Sequence, residues 1–368
     1  MNHISNFMNS RYVNLMDCLI RNFRRLVWPV LLTICGIALS AAAAPSDLAG
    51  SGDGPAISEA LRWLSVPPRF DANYDFEMTV QIRLLLFWIG KDDVGGGYIK
   101  IGQAADDSSL EVIRLLFGSD PAKARGINRW GAGTEVVKRG AGGAAESSAF
   151  LGFMKSSKGE SVGAMRQELS SEKKAGQHRF EAIISRVDPG RAVSATVPFY
   201  SDHDFDLREL EPAEKVVLDQ LKEGQERKFH ALAGSSVGCN RGSGFLSTVQ
   251  ELANDALEGQ HPPISLCYVY NSNQYTVTLE STRPVPEKTV HFTLSDPKQK
   301  IDRRYHDLQE ARFQVVNHTT GNKSGFAILL GTSGGLRGAP VQINYQPNWW
   351  FQITLNLKPG AVEPAGGR

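Results

Sequence analysis

Residues 74–88 read YDFEMTVQIRLLLFW, and this stretch decides the fold. Tyr74, Phe76, Met78, Val80, Ile82, Leu84, Leu86 and Trp88 fall on one face, with Asp75, Glu77, Thr79, Gln81 and Arg83 on the other. Alternation with period two marks a β-strand with one face toward a core, because successive side chains point to opposite sides. A single strand over Tyr74–Trp88 at ~3.3 Å per residue reaches ~50 Å, well beyond the usual ~20 Å, so it is expected to curve. From Leu85 to Ile89 both faces are apolar, which predicts cover on both sides of that end.

Working outward, the glycine-rich GKDDVGGG of residues 90–97 reads as a loop and Tyr98–Ile101 as a returning strand. Phe180–Val187 and Arg191–Val197 flank Asp188-Pro189-Gly190, a strong turn signal. Ile264–Tyr270 and Tyr275–Glu280 flank an Asn-Ser-Asn turn, and Thr289–Leu294, Arg312–Asn317, Phe326–Leu330, Val341–Tyr345 and Trp349–Leu357 extend the set of strands. Helices are predicted over Ser58–Leu64, Glu211–Glu223 and Phe245–Leu257; the second has Pro212 near its start and Gly224 after its end. Many antiparallel strands with few helices predict a β-rich α+β fold, a strongly curved sheet or open barrel with two or three helices on its concave side.

The N-terminus reads as an export signal. Arg21, Arg24 and Arg25 precede an apolar run from Leu26 to Leu39, and Ser40–Ala44 supplies the small residues a signal peptidase accepts. The predicted organisation is a signal peptide over 1–44, a linker over 45–57, a β-rich body over 58–358 and a tail over 359–368; 58–200 and 201–358 form two halves of one sheet system in the alternative division. The 368-residue chain carries a net charge of +1. The first 44 residues hold four arginines against Asp17, which leaves the body slightly acidic. That balance argues against nucleic acid as a partner. No later apolar run is long enough to span a bilayer, so the exported body is expected in the periplasm or outside the cell.

Four cysteines occur, and Cys18 and Cys35 belong to the segment expected to be removed. An oxidising compartment favours a disulfide between the remaining pair, Cys239 and Cys267, which would fasten the Phe245 helix across the sheet.

Sites of chemistry are sparse. Gly234-Ser235-Ser236-Val237-Gly238 matches the nucleophile elbow of serine hydrolases, with Ser236 as nucleophile and His261, His291 and His306 as available bases. The residues after Ser236 are not helical in pattern, and Gly331–Gly335 matches the same motif, so loop chemistry is the simpler reading. Asp202, His203, Asp204 and Asp206 offer alternating oxygen ligands, yet Leu207 and Ala213 stand where a Ca²⁺ loop needs Gly and Glu. A solvated acidic connection accounts for them. No cofactor is implied.

The C-terminal half has an order of its own: the helix FLSTVQELANDAL, then strands around Tyr275-Thr276-Val277, Phe313-Gln314-Val315, Phe326-Ala327-Ile328 and Arg337–Ile343. From Gly244 to Leu357 this order resembles uncharacterised bacterial envelope proteins whose sheet is like the half-barrel of periplasmic lipoprotein carriers. The resemblance implies a fold and a compartment and brings no catalytic residues with it. A curved sheet with helices against it encloses an apolar cavity. The expectation is therefore a non-enzymatic binder of a lipid-like ligand, lined by Leu84, Leu86, Trp88, Trp349 and Phe351. A secreted hydrolase and an envelope protein-interaction module are the alternatives.

Overall fold

The computed structural model describes residues 54–84, 87–140, 143–155, 178–223, 232–236, 239, 242–270, 273–295, 298–348 and 350–359. The predicted signal peptide and the start of the linker lie outside them. Helix α1 (Gly54–Leu64) begins inside the predicted linker and leads into β1 (Pro68–Leu84). Thirteen further strands follow: β2 (Phe87–Ala104), β3 (Asp107–Ser119), β4 (Trp130–Arg139), β5 (Ala145–Lys155), β6 (His178–Asp188), β7 (Arg191–Ser201), β8 (Leu232–Ser236), β9 (Ile264–Tyr270), β10 (Asn273–Ser295), β11 (Lys298–Asn317), β12 (Lys323–Gly331), β13 (Pro340–Asn348) and β14 (Phe351–Leu357). Helix α2 (Leu210–Glu223) separates β7 from β8, and α3 (Phe245–Leu257) separates β8 from β9.

All 14 strands form one antiparallel sheet in the order β8-β7-β6-β5-β4-β3-β2-β1-β14-β13-β12-β11-β10-β9. Each half is a meander, and β1 pairs with β14 where the halves meet, from Phe76 opposite Leu357 to Ile82 opposite Phe351. The barrel-like curvature shows in α3, which touches β4 from one half of the sheet and β9, β10 and β11 from the other. Strands that far apart in the order reach one helix only if the sheet wraps around it.

The wrapping ends in an overlap. Among the described residues β8 and β9, the two edges, do not pair. On β9, Leu266, Tyr268 and Tyr270 join the core under α3. Cys267 and Val269, on the opposite face of β9, pack with Val187 of β6, Ala192 of β7 and Cys239. One end of the sheet therefore lies over the other like a scroll, and the expected Cys239–Cys267 disulfide fastens the overlap with Cα atoms 5.8 Å apart. Overlap and cross-link together cover sheet edges that would otherwise invite foreign strands.

Alternation along each strand sorts the helices to two sides. Leu110, Val112 and Leu116 of β3 and Trp130, Ala132 and Val136 of β4 share a cluster with Ile57, Leu61 and Trp63 of α1 and with Leu210, Ala213 and Val217 of α2. Ile113, Leu115 and Phe117 of β3 point the other way, toward α3. The expectation of helices on the concave side thus holds for α3 alone. The helices α1 and α2 cover the outer face, because β3 to β6 are apolar on both sides and each side needs cover.

Two local readings are corrected. The strand predicted over Tyr74–Trp88 turns back after Leu84, and β2 starts at Phe87, directly opposite it. Tyr74–Leu84 and Phe87–Trp88 thus belong to two paired strands rather than one. The predicted loop over 90–97 is instead the first half of β2, paired to β1 from Gly90 opposite Gln81 to Gly97 opposite Phe76, with a bulge between Met78 and Val80. Gly97 stands between Phe76 and Phe117, whose rings meet edge to face at 5.7 Å. A Cβ at Gly97 would come within 1.8 Å of the Leu116 carbonyl oxygen. The glycines serve close approach between coiled strands rather than a turn.

Candidate functional site

Helix α3 carries two apolar stripes. Leu252 and Ala256 are buried against the sheet. Phe245, Val249, Ala253 and Leu257, spaced four apart and so on one face, are only partly buried. They look onto a cavity of about 330 Å³. Its opposite wall comes from both halves of the sheet: Tyr74, Ile99, Ile101, Ile113, Leu115 and Phe117 of β1–β3, and Phe326, Ile328, Leu330, Ile343, Tyr345 and Leu355 of β12–β14. Nearly every lining side chain is aliphatic or aromatic.

A buried carboxylate holds the helix over this space. Glu135 of β4 is fully buried and accepts hydrogen bonds from the backbone N–H of Gly244 (3.0 Å) and Leu246 (2.8 Å) and from the Ser247 hydroxyl. It thereby satisfies donors that the first turn of a helix leaves without partners, and it sits at the positive end of the helix dipole. Burial raises its pKa, and the bonds from Ser247, Leu246 and Gly244 oppose that rise. A Cβ at position 244 would lie 2.7 Å from the Glu135 carboxyl carbon, so any larger residue there would push the carboxylate out of its place.

One mouth of the cavity is polar. Gln250 of α3 lines the cavity and donates from Nε2 to Glu111 Oε1 (2.7 Å), while its Oε1 accepts from Arg139 Nη2 (2.8 Å). Arg139 Nε donates to Glu111 Oε2 at 2.6 Å, closing a ring of three side chains. A shallow depression lined by Asp71, Gln103, Ser109, Glu111 and Arg139 opens beside it, sharing Ile101 with the cavity. The arrangement is an apolar chamber with a hydrogen-bonding rim.

Of the residues predicted to line a ligand site, Phe351 is buried in the core next to the cavity wall and Trp88 is exposed at the β1–β2 hairpin tip. Neither lines the cavity. Leu84 ends β1, and Leu86 and Trp349 lie outside the described residues. The stripe at 245, 249, 253 and 257 was visible in the sequence, but periodicity alone does not tell a core stripe from a cavity stripe.

Ser236 is the last residue of β8, paired with Arg191, and the next helix begins only at Phe245. Cys239 intervenes, tied to Cys267. This is not the strand-to-helix elbow that the motif requires. His291 and His306 lie on the β10–β11 hairpin, facing Asp302 (2.7 Å) and Glu287 (3.7 Å). In the acidic segment, Asp204 binds Lys155 (2.5 Å), His203 faces Glu209 (2.8 Å), Asp206 binds Arg208 (2.6 Å), and Asp202 is exposed. Arg208 holds the Asp206 carboxyl below its usual pKa. Among the described residues no three His, Cys, Asp or Glu side chains converge as a metal site.

The chain is similar to a beta-barrel-like protein of domain of unknown function DUF1849 from Brucella abortus, at 8% identity over 79% of this chain and 98% of that one, with a TM-score of 0.36. No family model and no curated protein matches the chain.

Proposed function

We propose that this chain is an exported, non-enzymatic binder of a lipid-like ligand, held between α3 and the two halves of the sheet. The observation that carries the reading is the second stripe of α3, four apolar side chains that pack at the edge of the core and also line a cavity. About 330 Å³ lies at the lower end of the ~300–1,000 Å³ of ligand pockets. The Arg139–Glu111–Gln250 ring supports a ligand with a polar head, since its groups accept and donate at the mouth. Export is supported by the signal-like N-terminus and by the disulfide, a bond that persists in oxidising compartments. Among the described residues no helix is long and apolar enough to cross a membrane.

Titration of the folded protein with Nile red tests the reading. Saturable binding is expected, competed by a long-chain fatty acid. Ala253→Trp puts a large ring into the cavity and should weaken binding by roughly tenfold or more, equivalent to ~1.4 kcal/mol. A dye response that appears only on unfolding, or an Ala253→Trp variant that binds as well as wild type, would sink the proposal.

A further inference from the structure

We propose that the cavity prefers a ligand whose head is uncharged and hydrogen-bonding, such as an acylglycerol, over one that ends in a carboxylate. This selectivity presupposes that the cavity is the ligand site.

No charge waits inside. Among the described residues that line the cavity there is no Asp, Glu, Lys, Arg or His; the polar lining is Gln250 and Asn254 of α3 with the phenols of Tyr74 and Tyr345. A carboxylate drawn inward by its chain would leave water without a counter-charge, and that transfer is costly. The head therefore stays at the polar mouth, and the charges there decide what it can be.

The cation that lines the mouth is already matched. Arg139 donates from Nε to Glu111 Oε2 (2.6 Å), from Nη1 to the Gly143 carbonyl (2.9 Å) and from Nη2 to Gln250 Oε1 (2.8 Å). All three nitrogens are engaged, so an anionic head reaches the guanidinium only by displacing Glu111 and breaking a charge-assisted bond. Arg69, in register opposite Gln103, is largely exposed and faces Asp71 at 3.9 Å. Such an exposed pair contributes little. The depression beside the cavity is lined by Asp71 and Glu111 against Arg139 alone, which disfavours an anion further. What the mouth leaves open is neutral. Gln103 and Ser108 line the depression, and Gln250 keeps a second amide N–H beyond its bond to Glu111. At about 490 Å³ the depression has room for a head with several hydroxyls.

Displacement of Nile red by monoolein, oleic acid and oleylamine, each below its critical micelle concentration, tests the proposal. At about pH 8 the acid is ionised in water. Monoolein should displace the dye at a concentration roughly tenfold lower than either charged amphiphile. Glu111→Gln keeps an acceptor for Arg139 but removes its counter-charge, so oleic acid should gain roughly tenfold relative to monoolein. A merely structural role for Glu111 would weaken all three competitors alike. Oleic acid or oleylamine that matches monoolein on wild type overturns the neutral head. So does a folded Glu111→Gln variant that keeps the wild-type ratio of oleic acid to monoolein. Should the variant fail to fold, the order on wild type decides alone. Wild type that binds no Nile red removes the cavity reading and this selectivity with it, whereas dye displaced equally by all three removes the selectivity only.

Discussion

Replacing Glu135 should loosen α3 from the barrel interior, and the size of the effect follows from its partners. In Glu135→Ala the backbone N–H groups of Gly244 and Leu246 lose their acceptor, whereas Ser247 retains the Gly244 carbonyl at 3.4 Å. Each orphaned donor costs about 1–3 kcal/mol, so the variant should be less stable by about 2–6 kcal/mol. At roughly 2 °C per kcal/mol for a domain of this size, the melting temperature should fall by about 4–12 °C. Glu135→Gln keeps one acceptor oxygen and turns an amide toward the other donor, so its loss should be smaller. The two variants should also differ in pH dependence. Burial lifts the folded-state pKa of Glu135 above its usual 4.5, so the folded protein keeps this proton to higher pH than the unfolded chain does. The corresponding stability is complete below pH 4.5 and is lost as pH rises through the raised value. Glu135→Gln has no such proton, and its deficit relative to wild type should shrink over that window. Urea unfolding of the three proteins from about pH 4 to about pH 8 reads both effects. An Ala variant as stable as wild type, or a Gln deficit independent of pH, refutes the assignment of Glu135 as the buried anchor of α3.

Other consequences are as specific. Removing the disulfide in Cys239→Ala/Cys267→Ala opens a loop spanning 28 positions and should cost about 3–4 kcal/mol on the chain-entropy model, measured by chemical denaturation against wild type. An unchanged midpoint would show that the scroll overlap holds without its cross-link. Gly97→Ala should prevent folding or destabilise by several kcal/mol, because its Cβ meets the Leu116 carbonyl oxygen at 1.8 Å; a soluble variant with wild-type thermal stability contradicts the strand packing. N-terminal sequencing of protein recovered from cells should begin between Ala42 and Pro45, and an intact Met1 would mean a retained anchor.

The fold class was legible because alternation is a two-residue property that survives without tertiary context. The helix Phe245–Leu257 has the same limits in sequence and structure, since its apolar repeat ends at Gly259 and Pro262. The hairpin 180–197 was legible through Pro189-Gly190, with Asp188 opposite Arg191. Misreadings arose where one residue type serves two purposes. Glycines 95–97 signal turns by composition, yet here they let β1, β2 and β3 approach closely. The apolar run from Leu84 to Trp88 signals one strand by composition, yet Leu84 and Phe87 stand opposite each other in two strands. The cavity was out of reach for a different reason. Its walls come from residues as distant as Tyr74 and Leu355, and only the pairing of β1 with β14 brings them together. Glu135 gave no signal either, because a carboxylate on an apolar strand looks like any exposed position until the helix it caps is placed.

If the barrel interior holds a lipid-like molecule, native mass spectrometry of protein expressed with its own N-terminus and purified without detergent should show a folded species carrying one adduct of lipid mass, released on unfolding and diminished in Ala253→Trp. A folded protein of bare polypeptide mass that also fails to take up a long-chain fatty acid would contradict it.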